Sequence, residues 1–384
     1  MIEEPPDSNR KRDFYSLENM MDEEGILLRP RIKKGERAVM NPAVLQINAN
    51  GPWPFLYRNE KLKKIDGKER VVSTIDLRWL INPTQLWERK KTIIEPTEEY
   101  EAYGCEDPRL SHINGEYYIT YVAYDGLNAR IALAKTKDFK EVKKLGIIGP
   151  EIELEEAIEL VSDDNYKKVW QKQLEGLKEK MEKEKLRGPA ILSDKDAYID
   201  YDQKNKKWVL IHRLDPQMHI AMVDSLEELK NEEFWRSYLK NIKSYEFLRG
   251  LEPWEKEKIG LGSSIVNIWG KKIAVYHGVS EKEEVLDYNG GFLEIEDFKP
   301  KSRLRDPLFK PEREEHIFKY IDENGKERMK RVIFPTGIVQ DPEDKDQLWV
   351  YYGMGDSTIG YRSTYIPWLV RELEHPHNKL VQAT

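Results

Sequence analysis

The sequence predicts an all-β fold of five repeated sheets, with one charged helical insertion and short extensions at both ends. Three observations carry this expectation. From about Ala38 onward, short aromatic and β-branched runs alternate with Asn, Gly, Asp and Lys turns. One unit recurs: a turn, a strand rich in Tyr, Trp, Val and Ile, then a polar strand end. The 384 residues include 20 Tyr, 10 Trp and 10 Phe, too many aromatics for a disordered chain even though 35% of residues are charged.

In chain order, residues 1–37 are polar and mixed in charge, and read as an extension packed on the body or on a neighbour. The recurring strands are Trp53–Arg58, Tyr117–Val122, Trp208–Arg213, Ile273–His277 and Leu348–Tyr352. The steps between their ends are 64, 91, 64 and 75 residues, room for four strands plus loops. Such repeats around an axis make a five-bladed β-propeller over residues 38–384, each blade covering its neighbour's apolar face. The pattern also suits a β-sandwich or two β domains. The longest step contains residues 151–187, where Trp170, Leu174, Leu177 and Met181 fall at helical spacing amid Lys and Glu. That spacing predicts an amphipathic helix on the rim or at a subunit contact. Residues 365–384 read as a short closing helix and tail.

Composition narrows the function. With 63 Lys+Arg against 70 Asp+Glu, the formal charge is −7. A nucleic-acid partner is not expected, because it calls for a basic face. The single cysteine, Cys105, leaves no intrachain disulfide framework and no Cys-based zinc site. The first residues lack the apolar stretch of a secretory signal, and no apolar run approaches the roughly 20 residues of a membrane helix. The expected location is the cytoplasm, with no membrane partner.

Two groups of residues offer chemistry. Glu106-Asp107-Pro108-Arg109 precedes a Tyr-rich hairpin. With Pro108 holding Asp107 extended, strand alternation puts Asp107 and Arg109 on one face and Glu106 on the other. Asp107 then reads either as half of a structural ion pair or as a proton donor tuned by Arg109 and nearby acids. Arg58, Arg213 and His277 end equivalent strands, and Lys195 lies on the strand before Arg213. Either they pair separately with acids, or they converge on an anion such as phosphate. Gly260-Leu261-Gly262-Ser263-Ser264 lacks the Gly-Lys-Ser/Thr of a phosphate loop, and His375-Pro376-His377 reads as a solvated tail rather than a metal site.

Several of these segments, in order, resemble glycoside hydrolase family 130, the β-mannoside phosphorylases and related mannosidases. They are Asn41-Pro42-Ala43, the strand ending in Arg58, Glu106–Arg109, Tyr124-Asp125-Gly126, Lys195-Asp196, His212-Arg213, Tyr276–Val279, Phe334–Gly337, and Tyr351-Tyr352-Gly353 with Asp356. The resemblance runs from about Ala38 to Tyr361 and is interrupted by the helical insertion, which has no matched counterpart. It implies a five-bladed propeller and an inverting phosphorolysis that releases α-mannose 1-phosphate. Asp107 is the implied acid, acting through the mannose 3-hydroxyl. Arg58, Lys195, Arg213, His277 and Tyr288 are the implied phosphate ligands. Asn41, Arg109, Asp125 and Asp356 are the implied sugar contacts. Lys195 and Asp196 stand where the family commonly has Arg and Asn. No cofactor or metal is implied, only inorganic phosphate as co-substrate, and homo-oligomers are common. Family hydrolases lose much of the basic set, which this chain mostly keeps. The alternatives are therefore an inverting β-mannosidase, a non-catalytic sugar-binding propeller, or a protein scaffold docking through the inserted helix.

Overall fold

The computed structural model describes residues 23–65, 67–321 and 326–380. Residues 1–22 of the expected extension, which include the stretch read for a signal, and 381–384 of the tail lie outside them. The described chain is mostly β. Its antiparallel strands fall, in chain order, into five successive groups. The first holds Glu36–Val44, Trp53–Ile65 and Lys68–Asn82, edged by Lys91–Ile94. The second holds Gly104–Ile113, Glu116–Tyr124, Ala129–Thr136 and Lys143–Ile147. The third holds Lys195–Asp202, Lys207–Leu214, Gln217–Val223 and Glu246–Leu248. The fourth holds Lys258–Leu261, Lys271–Lys282, Val285–Glu296 and Lys299–Arg303. The fifth holds Glu327–Gln340, Gln347–Met354 and Thr358–Tyr365, and the N-terminal strand Glu24–Leu28 pairs with its last member. The described part of the expected extension is thus built into a sheet, and the first strand of the body starts at Glu36. Short parallel pairings link the first group to the second at Ser73 and Gly104, and the fourth to the fifth at Leu286–Tyr288.

All five recurring segments lie in the second strand of their group. The reason is apolar burial on both faces of an inner strand. Leu56, Ile119, Leu210, Ala274 and Val350 are all fully buried, and the clusters they join lie between successive groups. A further cluster joins Val339, Trp349 and Tyr351 of the fifth group to Val39, Phe55 and Tyr57 of the first. The amide of Val39 also donates to the Ser357 carbonyl at 3.1 Å, so the two ends of the chain's β-structure meet.

The insertion forms helices α1 (Leu154–Leu160) and α2 (Asp164–Glu184) between the second and third groups. Asp163 caps α2 by accepting from the amides of Asn165 and Tyr166. The anchors of α2 are Tyr166 and Trp170, both buried, and Trp170 Nε1 donates to the Asp215 carbonyl at 2.8 Å. Leu174 and Leu177 pack at the edge of the same cluster. Helix α3 (Glu232–Lys240) covers the third group, and α4 (Ile366–Glu374) follows the fifth. No helix among the described residues is long and apolar enough to cross a membrane.

Candidate functional site

The first strands of three groups deliver much of the site through irregularities in their pairing. Register shifts interrupt the first strand of the first group between Met40 and Ala43, of the second between Glu106 and Arg109, and of the third between Lys195 and Tyr198. At these bulges Asn41, Asp107 and Asp196 adopt φ of 49°, 47° and 52°. Asp356, in the turn after the second strand of the fifth group, has φ of 46°. Left-handed backbone is rare outside Gly, and Asn and Asp tolerate it best. A bulge also re-aims side chains. All four residues line one cavity of about 570 Å³, within the usual size range of small-molecule sites.

This geometry corrects the alternation expected at Glu106–Arg109. The bulge takes Asp107 out of the extended conformation. Glu106 and Asp107 therefore both face the cavity, while Arg109 turns behind it, only 1% exposed. There Arg109 donates to the carbonyls of Pro108 at 3.0 Å and Leu261 at 3.3 Å, and lies 3.5 Å from Asp196.

One end of the cavity is acidic. Arg58 sits among Glu60 at 2.7 Å, Glu106 at 2.8 Å and Asp107 at 3.4 Å, and donates through Nε to Ser73 at 3.0 Å. Asn41 Nδ2 donates to Asp107 at 2.8 Å. Burial alone would raise the Asp107 pKa, but Arg58, the Asn41 hydrogen bond and Lys195 outweigh it and hold the carboxyl below its usual range. Burial prevails for Glu106, despite Arg58, and for Asp356, despite Lys330, so both are pushed up. Neighbouring carboxyls thus have opposite preferences for the proton.

The other end is basic. Lys195, Arg213, Lys258 and Tyr288 line it. Arg213 is fixed by Asp196 at 2.6 Å and Asp215 at 2.7 Å. Lys195 and Lys258 have no carboxylate within 4 Å among the described residues, and the Lys258 ammonium stands 5.8 Å from the Tyr288 ring centre. His277 is fully buried behind Arg213, whose Nη1 is 3.1 Å from its Nε2. Burial, reinforced by Arg213 and Arg109, pushes its pKa well below the usual imidazole value. It therefore contributes no positive charge, contrary to its reading as one of a set of cations. A side chain at Gly260 would strike the Asp196 carboxylate and the His277 ring, so the Gly-rich segment serves close packing.

The cavity thus gathers Asn41, Arg58, Asp107, Lys195, Arg213, Tyr288 and Asp356 in its lining, with Arg109 and His277 directly behind. Asp125 is not brought in. It lies in the turn after the second strand of the second group, accepts from the amides of Leu127 and Asn128, and pairs with Arg130 at 2.5 Å. Sequence reading missed Lys258 and Lys330, both in the lining. Lys258 opens an inner strand but is masked by the surrounding run of Glu and Lys, and only its place before Gly260 could have marked it. Among the described residues, no cluster of three or more His, Cys, Asp or Glu could hold a metal ion, and His375 caps its own turn by accepting from the His377 amide.

Comparison with known proteins places the chain in a family. The family described as beta-1,4-mannooligosaccharide phosphorylase matches residues 24–374. A 1,2-beta-oligomannan phosphorylase of Thermoanaerobacter sp. (strain X514) is 23% identical over 352 residues, 90% of this chain and 96% of that protein. A beta-1,2-mannobiose phosphorylase of the same organism is 26% identical over 335 residues, 85% and 89% of the two chains. The solved beta-1,2-mannobiose phosphorylase of Listeria innocua, in complex with beta-1,2-mannobiose, superposes with a TM-score of 0.61 at 16% identity, covering 91% of this chain and 97% of that one. A match across nearly the whole described chain, with one cavity at its inner strands, has a plain consequence: this chain belongs to glycoside hydrolase family 130.

Proposed function

We propose that the protein is an inverting β-mannoside phosphorylase on a five-bladed β-propeller, using inorganic phosphate and no cofactor. The five strand groups, and the apolar cluster joining last to first, support the propeller reading. The observation that carries the chemistry is that one cavity is lined both by a carboxyl cluster around Arg58 and by Lys195, Lys258 and Tyr288 around Arg213. Inversion requires the leaving group and the nucleophile on opposite faces of the sugar ring. The carboxyl end supplies the proton, and Asp107 is the acid. Lys195, Arg213, Lys258 and Tyr288 hold phosphate in line at the other end. Arg58, surrounded by carboxylates, sets the charge of Asp107 and borders the sugar, with Asn41 and Asp356 as sugar contacts. Arg109 and His277 position Asp196 and Arg213.

Phosphate also arms the acid in this reading. Lys195 is one of the cations holding Asp107 ionised. Phosphate on Lys195 neutralises that effect and adds negative charge nearby, so the Asp107 carboxyl gains affinity for its proton. A hydrolase needs a carboxylate base on the nucleophile side. The carboxylates there, Asp196 and Asp215, are both taken up by Arg213, which favours phosphorolysis. We place the activity in the cytoplasm of a homo-oligomeric protein.

The test incubates the protein with β-1,2- and β-1,4-mannobiose, with and without phosphate. Phosphate-dependent formation of α-mannose 1-phosphate from either disaccharide is expected. Full release of mannose in water, unchanged by phosphate, means a hydrolase instead. Binding without turnover means a sugar-binding protein.

A further inference from the structure

A second cavity, of about 340 Å³, opens off the first. The two share Tyr124, Lys195, Arg213 and Lys258 in their walls. Three of these four are the cations of the basic end, and none of Arg58, Glu106, Asp107 or Asp356 is shared. The second cavity therefore meets the first behind the proposed phosphate position, away from the acid. Its outer wall is α2, through Gln173, Gly176, Leu177 and Lys180.

Helix α2 is tied down on both sides of this opening. Gln173 Nε2 donates to Asp215 at 3.0 Å, and Asp215 in turn holds Arg213. Lys180 Nζ donates to the Tyr124 hydroxyl at 2.6 Å and to the Gly126 carbonyl at 2.8 Å. Gly176 stands between them, three residues after Gln173 and four before Lys180, on the face such spacing shares. Glycine is costly in the middle of a 21-residue helix. Close packing does not require it here, because a Cβ at Gly176 would meet nothing within 4 Å. What the missing side chain does is leave the wall of the second cavity open.

We propose that this helix-walled cavity is a separate port through which inorganic phosphate reaches the basic end while a disaccharide occupies the main cavity. The inference rests on the phosphorolysis reading above and extends it. A sugar bound between the two ends lies across the path from the acid side, so a nucleophile that must approach the opposite face needs its own way in. The port's inner wall is cationic, suited to a small oxyanion. Its Gln173–Asp215–Arg213 chain links the helix to the residue that would grip the phosphate.

Kinetic order tests this. With the port open, phosphate binds to the enzyme–disaccharide complex, and the rate rises hyperbolically with disaccharide at limiting phosphate. Gly176→Trp closes the port. Disaccharide bound first then excludes phosphate, giving substrate inhibition with at least a threefold fall in rate at tenfold KM. Gly176→Cys gives the same test within one folded protein, since the native Cys105 is buried. Capping the new thiol with benzyl methanethiosulfonate should produce the inhibition, and reduction should remove it. The same cap on a Glu175→Cys variant, one position along and outside the lining of the second cavity, should leave the curve hyperbolic. Hyperbolic curves for both Gly176→Trp and the capped Gly176→Cys protein overturn the port, as does equal inhibition in capped Glu175→Cys. If the unmodified protein cleaves β-mannosides with no dependence on phosphate, it is the phosphorolysis reading that has failed.

Discussion

The two ends of the cavity hold their charges in opposite ways. At the acid end Arg58 has three carboxylates within 3.4 Å, so its charge is satisfied by the protein itself. At the basic end Arg213 is equally committed, but Lys195 and Lys258 face the cavity with no carboxylate within 4 Å among the described residues. A committed charge orients its neighbours, whereas an uncommitted one is available to a ligand. The comparison teaches that net charge at a site matters less than which charges are already paired. It also explains how Asp196, an acid among cations, is accommodated. Although it lines the cavity, its charge is offset by Arg213 and Arg109, which hold it from two sides.

Asp107→Asn breaks the acid end with the largest effect. It should lower phosphorolysis by roughly 10²–10⁴-fold, the usual contribution of a general acid, with the fold intact by circular dichroism. Arg213→Met and Lys258→Met separate committed from uncommitted charge. The first takes a charged partner from the buried Asp196 and the half-buried Asp215, which keep Arg109 and Gln173, and should cost about 2–3 kcal/mol of unfolding free energy. The second leaves no partner unpaired and should change stability by less than ~0.5 kcal/mol, while raising the phosphate KM about tenfold. Equal stability losses in denaturant titrations would erase the distinction between the two kinds of cation.

The coupling between the ends predicts a pH effect. With Asp107 as the proposed acid, activity should fall as pH rises through its pKa. Bound phosphate should raise that pKa, moving the alkaline limb up by about one unit at saturating phosphate relative to limiting phosphate. A limb that stays put would mean the two ends are electrostatically independent. The smallest effect concerns Asp196→Asn. Removing one negative charge beside Arg213 should tighten phosphate binding by about three- to tenfold in calorimetric titration, with some loss of thermal stability.

Much of this architecture was legible in the chain. The aromatic and β-branched runs marked the second strand of every group because an inner strand buries both faces, which leaves a composition that turns cannot imitate. The helical insertion was legible from Trp170, Leu174 and Leu177, since helix and strand periods differ. The site was legible only in part. Asp125 sits in a polar turn like any other, and its neighbour Tyr124 reaches the cavity while it does not. Lys258 was hidden in a charged run because exposed and cavity-facing lysines look alike in sequence.

By itself, the sequence determined the residue types: strands that must bury apolar faces, one helix with a wet side, and Asn and Asp at positions that tolerate left-handed backbone. The tertiary structure alone decided which side chains face one another. Bulges turned Glu106 and Asp107 to the same cavity against the two-residue alternation, and they put Arg109 behind it. Burial, which sums contributions from several sheets at once, neutralised His277 and set neighbouring carboxyls apart in proton affinity. Local pattern carries no record of either effect, because a bulge is a choice of register between strands and a dielectric environment belongs to the packed whole.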